Sequence, residues 1–481
     1  SLMTCIETSS ADLARILQHQ RRAFESEGPV ALETRVDRIE RCIALIVDHQ
    51  DALRAAVNED FGGRSQRVTR MSDLFTSVNT LKFVKKYIRK WMKPERRRAP
   101  FPMNLLGARA DIYYQPKGVV GIMSPWNVPI NVVFSPLADV LGAGNRAMIK
   151  PSEFNPKTVA VLSELFRQYF DETEIAVVSG GADVGSAFSS LPLDHIIFTG
   201  AGQVGKLVMR SAAQNLTPVT LELGGKSPVI VSQGAKLEEA AEKIIAGKAM
   251  NAGQVCISPD YCFVPEEKME AFISHCRQTI ANQYPTFMHN DDFVSLINER
   301  NFDRVQGYLT DARTKNARVV TLAPEGEDWN DRARHRMPIH LVIDPSDDMK
   351  VMQEELFGPV LCVLPYSDLG EVIVNINRRP HPLAMYYFGH EKKEQEYLIA
   401  NTIAGGMSIN DIGVHFACDD MPFGGVGASG MGHFHGREGF KTFSHAKSVF
   451  RQGFLNLPKL SGTLPPYGEK VDRMMDAIIK K

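Results

Sequence analysis

Three residues of this sequence carry groups that could together perform covalent and proton-transfer chemistry. Cys256 lies in Asn251-Ala252-Gly253-Gln254-Val255-Cys256-Ile257-Ser258, where small and polar residues lead into it as in a loop opening onto a cleft. A thiolate there is a nucleophile; an inert, buried small residue is the other reading, and the local sequence does not decide between them. Glu222 sits in Leu221-Glu222-Leu223-Gly224-Gly225-Lys226. A carboxylate at an apolar strand end has a raised pKa, which suits a general base, whereas pairing with Lys226 would make it structural. Asn127, in Pro125-Trp126-Asn127-Val128-Pro129, could donate amide hydrogens to an oxyanion or stabilise a turn beside proline.

A second group of residues could hold a phosphate-bearing cofactor. Gly200-Ala201-Gly202-Gln203-Val204-Gly205 matches GxGxxG between a predicted strand and a helix predicted to begin near Lys206. Such glycines let backbone approach a pyrophosphate, and the helix N-terminus favours the negative charge; a tight strand-to-helix turn is the plainer alternative. The same fingerprint expects an acidic ribose ligand about 20 positions on, which makes Glu222 a candidate for that role as well. Further glycine-rich turns follow at Phe357-Gly358-Pro359, at Gly405-Gly406 and from Gly424 to Gly430, and they imply backbone packed closely against a ligand or an interface. His433 and His435 form an HxH pair without evident partner ligands, read as an incidental surface pair; no metal is expected.

The elements around these residues change character along the chain. From Ala11 to Lys93 the pattern is helical, with Val36, Ile39, Ile43, Ile46 and Leu53 at helical spacing. Lys93 to Pro100 reads as a solvated, arginine-rich connector, and Arg109 to Gln115 as one strand of a hairpin. Apolar β-branched runs then alternate with helical patterns: Gly118 to Met123, Ala147 to Lys150 and His195 to Thr199, and again Val229 to Val231, Tyr261 to Val264 and Val360 to Val363. That alternation predicts an α/β protein with two domains built on parallel sheets.

Composition sets outer bounds. The 481 residues are 44% hydrophobic and 23% charged, with a net charge of -1, so nucleic acid and anionic membrane are not expected partners. No run of about 18 apolar residues is present for a membrane span. Seven scattered cysteines without a CxxC argue against a disulfide framework and for a reducing cytoplasm. Ser1 and Leu2 ahead of Met3 read as a remnant of expression, and the polar, acidic residues that follow lack the apolar run of a secretory leader.

Taken together, these segments resemble the aldehyde dehydrogenase superfamily, from about residue 30 to the C-terminus, with at least six motifs in the family's order. The finer likeness is to its dimeric, class 3 branch and there to bacterial coniferyl aldehyde-oxidising members. It is carried by Leu216-Thr217-Pro218-Val219-Thr220 ahead of the Glu222 motif, by Cys256 with Pro259-Asp260-Tyr261, and by Leu464-Pro465-Pro466-Tyr467. The resemblance implies roles. Cys256 resembles the nucleophile, Asn127 the oxyanion donor and Glu222 the general base, which displaces the ribose role for Glu222. Lys150 and Glu153 look like contacts to the adenine ribose, Trp126 and the turn from Gly200 to Gly205 like the pyrophosphate region, and Glu355 and Phe357 like the holders of the nicotinamide ribose and ring. Where the family often has a hydroxyl residue and a threonine, this sequence has Ala201 and Gly202, so a side-chain contact to phosphate is missing.

The expected reaction is oxidation of an aldehyde to the carboxylic acid with NAD, NADP being accepted as in that branch. Aromatic or cinnamyl aldehydes such as coniferyl aldehyde are the implied substrates, medium-chain aliphatic aldehydes or benzaldehyde the alternative. Transfer to coenzyme A is disfavoured by Glu222, and an inactive crystallin-like protein on the same fold by retention of Cys256, Asn127 and Glu222. The implied architecture is an aldehyde dehydrogenase-like fold of two Rossmann-like domains with a small bridging β element. A cofactor domain is expected at 1–100 and 117–222, a catalytic domain at 223–418, a bridging and oligomerisation element at 101–116 and 437–460, and a tail at 461–481 of a cytoplasmic homodimer.

Overall fold

A computed structural model describes residues 6–327 and 331–481, so the reading of Ser1 and Leu2 falls outside the described residues. Six helical segments, from Ser10–Glu27 to Thr76–Trp91, open the chain. Their apolar stripes face inward: Ile39, Cys42, Leu45 and Ile46 on one, Leu81, Val84 and Ile88 on another are buried. They pack around Asn131–Gly142, a helix buried on nearly every side and correspondingly apolar.

Three sheets organise the rest. A six-stranded sheet runs in the order Gly430–Met431, Val219–Glu222, His195–Thr199, Val119–Met123, Arg146–Lys150, Ile175–Val177, parallel except for its first strand. Val119–Met123 and Arg146–Lys150 are buried at every position, as a parallel sheet covered by helices on both faces requires. A seven-stranded sheet is ordered Arg318–Leu322, Ile339–Ile343, Val360–Tyr366, Pro259–Pro265, Ser227–Val231, Ala384–Phe388, Gly406–Ile409, with only the first strand antiparallel. A three-stranded antiparallel sheet joins Glu95–Arg97, Arg109–Pro116 and Ser444–Arg451.

Two expectations are corrected. The Lys93 to Pro100 connector contains a strand: Glu95, Arg96 and Arg97 pair with Ile112, Asp111 and Ala110. Its charges suit an exposed sheet edge, where they discourage further pairing, and they hide the strand from a hydrophobicity pattern. The helix expected near Lys206 begins at Gly202, because a glycine first residue gives no propensity signal.

The register of the six-stranded sheet brings its functional segments together. Met123 pairs with both Lys150 and Phe198, and Thr199 with Glu222, so the loops carrying Asn127, Glu153 and Gly200 leave one carboxyl edge. The loops entering the seven-stranded sheet at its amino edge carry Cys256, ahead of Pro259, and Glu355 and Phe357, ahead of Val360. Leu223 to Lys226 bridges directly from the first sheet to the second, and the two edges face each other across a cleft.

Candidate active site

The cleft encloses about 550 Å³ and is lined by Cys256, Glu222 and Asn127 from the first group of candidates, and by Trp126, Gly200, Glu355 and Phe357 from the second. Residues separated by more than a hundred positions thus share one cavity. Gly205 lies one helical turn behind it. Lys150 and Glu153 sit at the end of the neighbouring strand, outside the lining, 3.7 Å from each other.

Glu222 is almost fully buried, and neither carboxylate oxygen has a hydrogen-bond partner. Burial raises its pKa well above the ordinary carboxylate range. Lys226 does not compensate it. The ammonium bonds Asp260 Oδ1 at 2.5 Å and the carbonyls of Val351 and Glu354, which removes the ion pair considered for Glu222. An unpartnered buried carboxyl whose pKa burial has raised suits a group that takes a proton from water.

The Cys256 thiol opens on the cavity and is half-buried. Burial, then the Glu355 and Glu222 carboxylates, push its pKa up to about 12. Asn127 Nδ2 donates to the carbonyl of Gln254 at 3.1 Å, two residues before the thiol. The amide carries two hydrogens, so one remains for an oxygen held in the cavity. Glu355 is raised to about 7, chiefly by burial. A β-carbon on Gly224 would stand 2.4 Å from both Glu355 oxygens, which explains that glycine.

The residues present fit a dinucleotide. Ala201 caps helix Gly202–Ala213 without a side-chain bond, leaving N–H groups of that terminus for an anion at the cavity wall. The first and last glycines of the fingerprint are dictated by packing: a β-carbon would lie 2.7 Å from the Phe198 ring at Gly200 and 2.8 Å from Leu223 at Gly205, whereas Gly202 has open space. Trp126 and Phe357 meet edge to face at 5.5 Å. Phe357 adopts φ 44, and Arg304 holds its loop by donating to the carbonyls of Leu356 and Phe357.

The HxH pair does not converge. His433 is exposed, but His435 is buried among Phe416, Phe423 and Phe434, overturning its reading as a surface residue. The His435 backbone adopts φ 88. Among the described residues no three His, Cys, Asp or Glu side chains are grouped to hold a metal ion. No described helix is long and apolar enough to cross a membrane. The glycines before Met431 have a backbone role: a β-carbon on Gly430 would stand 1.9 Å from the Leu221 carbonyl, on the strand that ends in Glu222.

Comparison with known proteins meets this geometry. The profile of the aldehyde dehydrogenase family matches residues 1–449. The chain belongs to the aldehyde dehydrogenase family. It is 47% identical over 467 residues, 97% of this chain and 96% of the other, to a protein of Caulobacter vibrioides named probable coniferyl aldehyde dehydrogenase. It is 44% identical, with the same coverage, to a coniferyl aldehyde dehydrogenase of a Pseudomonas species. The crystal structure of a Mycobacterium tuberculosis aldehyde dehydrogenase complexed with NAD+ superposes with a TM-score of 0.83 at 26% identity, covering 94% of this chain and 92% of that one.

For this aldehyde dehydrogenase the raised thiol has a direct consequence. Iodoacetamide labelling of Cys256 in the free protein is expected to accelerate about tenfold per pH unit between about pH 6 and 9, because only the thiolate reacts. Mass spectrometry of the Cys256 peptide measures it, and a rate constant flat across neutral pH would contradict a thiol held protonated. Sequence reasoning missed three residues that organise the site. Arg304, Asn251 and Arg64 act through partners far along the chain, and no local motif announces them.

Proposed function

We propose that the cleft oxidises aromatic, cinnamyl-type aldehydes such as coniferyl aldehyde to their acids, with Cys256 as nucleophile, Asn127 as oxyanion donor and Glu222 as general base. The observation that carries this reading is the unpartnered Glu222 carboxyl in the same cavity as the Cys256 thiol and the half-committed Asn127 amide. Cys256 releases its proton to water and adds as the thiolate to the aldehyde carbon, giving a thiohemiacetal oxyanion that accepts hydrogen bonds from the free Asn127 N–H and the Cys256 backbone N–H. A nicotinamide cofactor, when bound, supplies the hydride acceptor. Oxidation leaves a thioester on Cys256. Glu222 then withdraws a proton from water as its oxygen attacks the thioester carbon, and the carboxylate departs as the thiol is regenerated.

Glu355 and Phe357 would hold the nicotinamide ribose and ring, Trp126 and the turn from Gly200 to Gly205 the pyrophosphate, and Lys150 with Glu153 the adenine ribose. A carboxylate at that last position disfavours a 2′-phosphate, so NAD is the preferred cofactor, with NADP also accepted. We assign cofactor binding to 1–100 and 117–222, chemistry to 223–418, and assembly to 101–116 and 437–460, with 461–481 as a tail. We assign the protein to the cytoplasm as a homodimer; the dimer is supported by the outer strand Ser444–Arg451, at the edge of its sheet, and by exposed Phe101, Leu105, Phe450 and Phe454 near it.

The aromatic walls favour a flat conjugated substrate: Phe416, Phe423 and Phe434 line the cavity. Initial rates with coniferaldehyde, cinnamaldehyde, benzaldehyde, hexanal and acetaldehyde, each with NAD and NADP, test the assignment. Coniferaldehyde or cinnamaldehyde is expected to exceed hexanal at least about tenfold in kcat/KM, the scale of a one- to two-kcal/mol pocket preference. A flat profile, or a preference for hexanal, would replace the substrate assignment by a broad-specificity one and leave the mechanism in place.

A further inference from the structure

Behind the cavity lies a buried ion pair that the reaction scheme does not use. Arg64 and Asp73 are both fully buried, and Arg64 does not line the cleft. Arg64 Nη1 donates to Asp73 Oδ2 at 2.5 Å and Nη2 to Ser72 Oγ at 3.1 Å. The other Asp73 oxygen accepts from the backbone N–H groups of Ile130 and Asn131, at 3.0 and 2.9 Å. It therefore pins the start of helix Asn131–Gly142, immediately after Asn127.

Arg64 Nη1 also donates to Thr69 Oγ1 at 3.3 Å, and the Nε donor points elsewhere. Arg64 Nε donates to Asn251 Oδ1 at 3.0 Å, across 187 positions of sequence. That bond fixes which way the Asn251 amide faces. Its Nδ2 then donates to the backbone carbonyl of Asn127 at 2.9 Å and to that of Gln254 at 3.1 Å. The Gln254 carbonyl is also the acceptor for Asn127 Nδ2. Asn251 and Ala252 both occupy the left-handed region, φ 52 and 54, a conformation that persists where surrounding contacts over-determine it.

One guanidinium thus reaches both loops of the site, the Asn127 loop through Asp73 and the Cys256 loop through Asn251. We propose that Arg64 is a positioning residue for the oxyanion site: through Asn251 it sets the Asn127 amide against the thiol of Cys256. This rests on the roles given above to Asn127 and Cys256. Neither Arg64 nor Asn251 touches the reacting atoms, and the effect travels through hydrogen bonds whose geometry a lysine cannot reproduce. Lysine keeps the charge beside Asp73 but has no second, forked donor to reach Asn251 at the same time.

The experiment is a double-mutant cycle on the full chain with cofactor, using Arg64→Lys, Asn127→Ala and both together. Arg64→Lys is expected to lower kcat on the order of tenfold with KM for the aldehyde within about twofold, as for a small displacement of a positioned group. In the Asn127→Ala background the same change is expected to cost less than about twofold, because the group being positioned is gone. An equal loss in both backgrounds, or no loss in either, overturns the proposal. If Asn127→Ala alone leaves kcat intact, the oxyanion role itself fails, and this result is read before Arg64 is touched. Should Arg64→Lys not fold, Asn251→Gly carries the same cycle. Glycine accepts the positive φ and leaves the Arg64–Asp73 pair in place, and its loss of kcat is likewise expected to vanish without Asn127.

Discussion

Glu222→Gln is expected to lower steady-state turnover by about 10²- to 10⁴-fold, the range a positioned general base contributes, while each site still releases one equivalent of reduced cofactor in a burst. In the proposed scheme, forming and oxidising the thiohemiacetal would need Cys256 and the oxyanion donors, and only the later attack of water would need the carboxylate. A variant without the burst would place Glu222 before oxidation, and one with normal turnover would remove it from catalysis. A second readout follows from its unpartnered burial. The folded pKa lies above the unfolded one, so folded chains retain a proton that unfolded chains release. Wild-type stability therefore falls as pH rises from the unfolded value to the folded one, by up to about 1.4 kcal/mol per unit. Glutamine does not titrate. The Tm of Glu222→Gln should match wild type below the unfolded carboxyl value, near pH 4, and exceed it by a few degrees near pH 8. A gap that does not widen with pH would mean that the carboxylate is solvated in the free protein. Loss of activity joined to gain of stability is the pattern of a group kept for chemistry at the expense of the fold.

How much of this was legible in the sequence depended on the range of the interactions. Val119–Met123 and His195–Thr199 could be read because a strand buried on both faces must be a short β-branched run. Glu95–Arg97 could not, since its strand character comes from pairing with Arg109–Pro116 and not from its own side chains. Cys256, Glu222 and Asn127 each had a plain structural alternative, and for Glu222 and Asn127 three-dimensional contacts bear on it. Lys226 turned out to bond Asp260 rather than Glu222, and Asn127 faced the thiol loop rather than closing a turn of its own. The histidine pair misled because nothing local shows that His435 packs in an aromatic pocket while His433 stays exposed. Arg64 was invisible for the opposite reason: an arginine between two helices is ordinarily solvated, and only its partners 9 and 187 positions away reveal it as buried.

Asn127→Ala is expected to reduce kcat by about 10²- to 10³-fold with little change in KM, because in the proposed scheme the charge it would stabilise develops on the carbonyl oxygen only as the thiolate adds. The fold should tolerate the change. The Gln254 carbonyl that loses the Asn127 amide still accepts from Asn251 Nδ2, so no buried acceptor is orphaned. The same geometry separates catalysis from scaffolding. Labelling of Cys256 by iodoacetamide proceeds without an oxyanion, so it should be as fast in Asn127→Ala as in wild type at equal pH. If labelling slowed in step with kcat, the amide would be shaping the Cys256 loop instead of meeting the substrate oxygen. The combination of a slow oxidation with an unimpaired thiol is the signature of a missing donor. It also sets the background against which the Arg64 contribution must disappear.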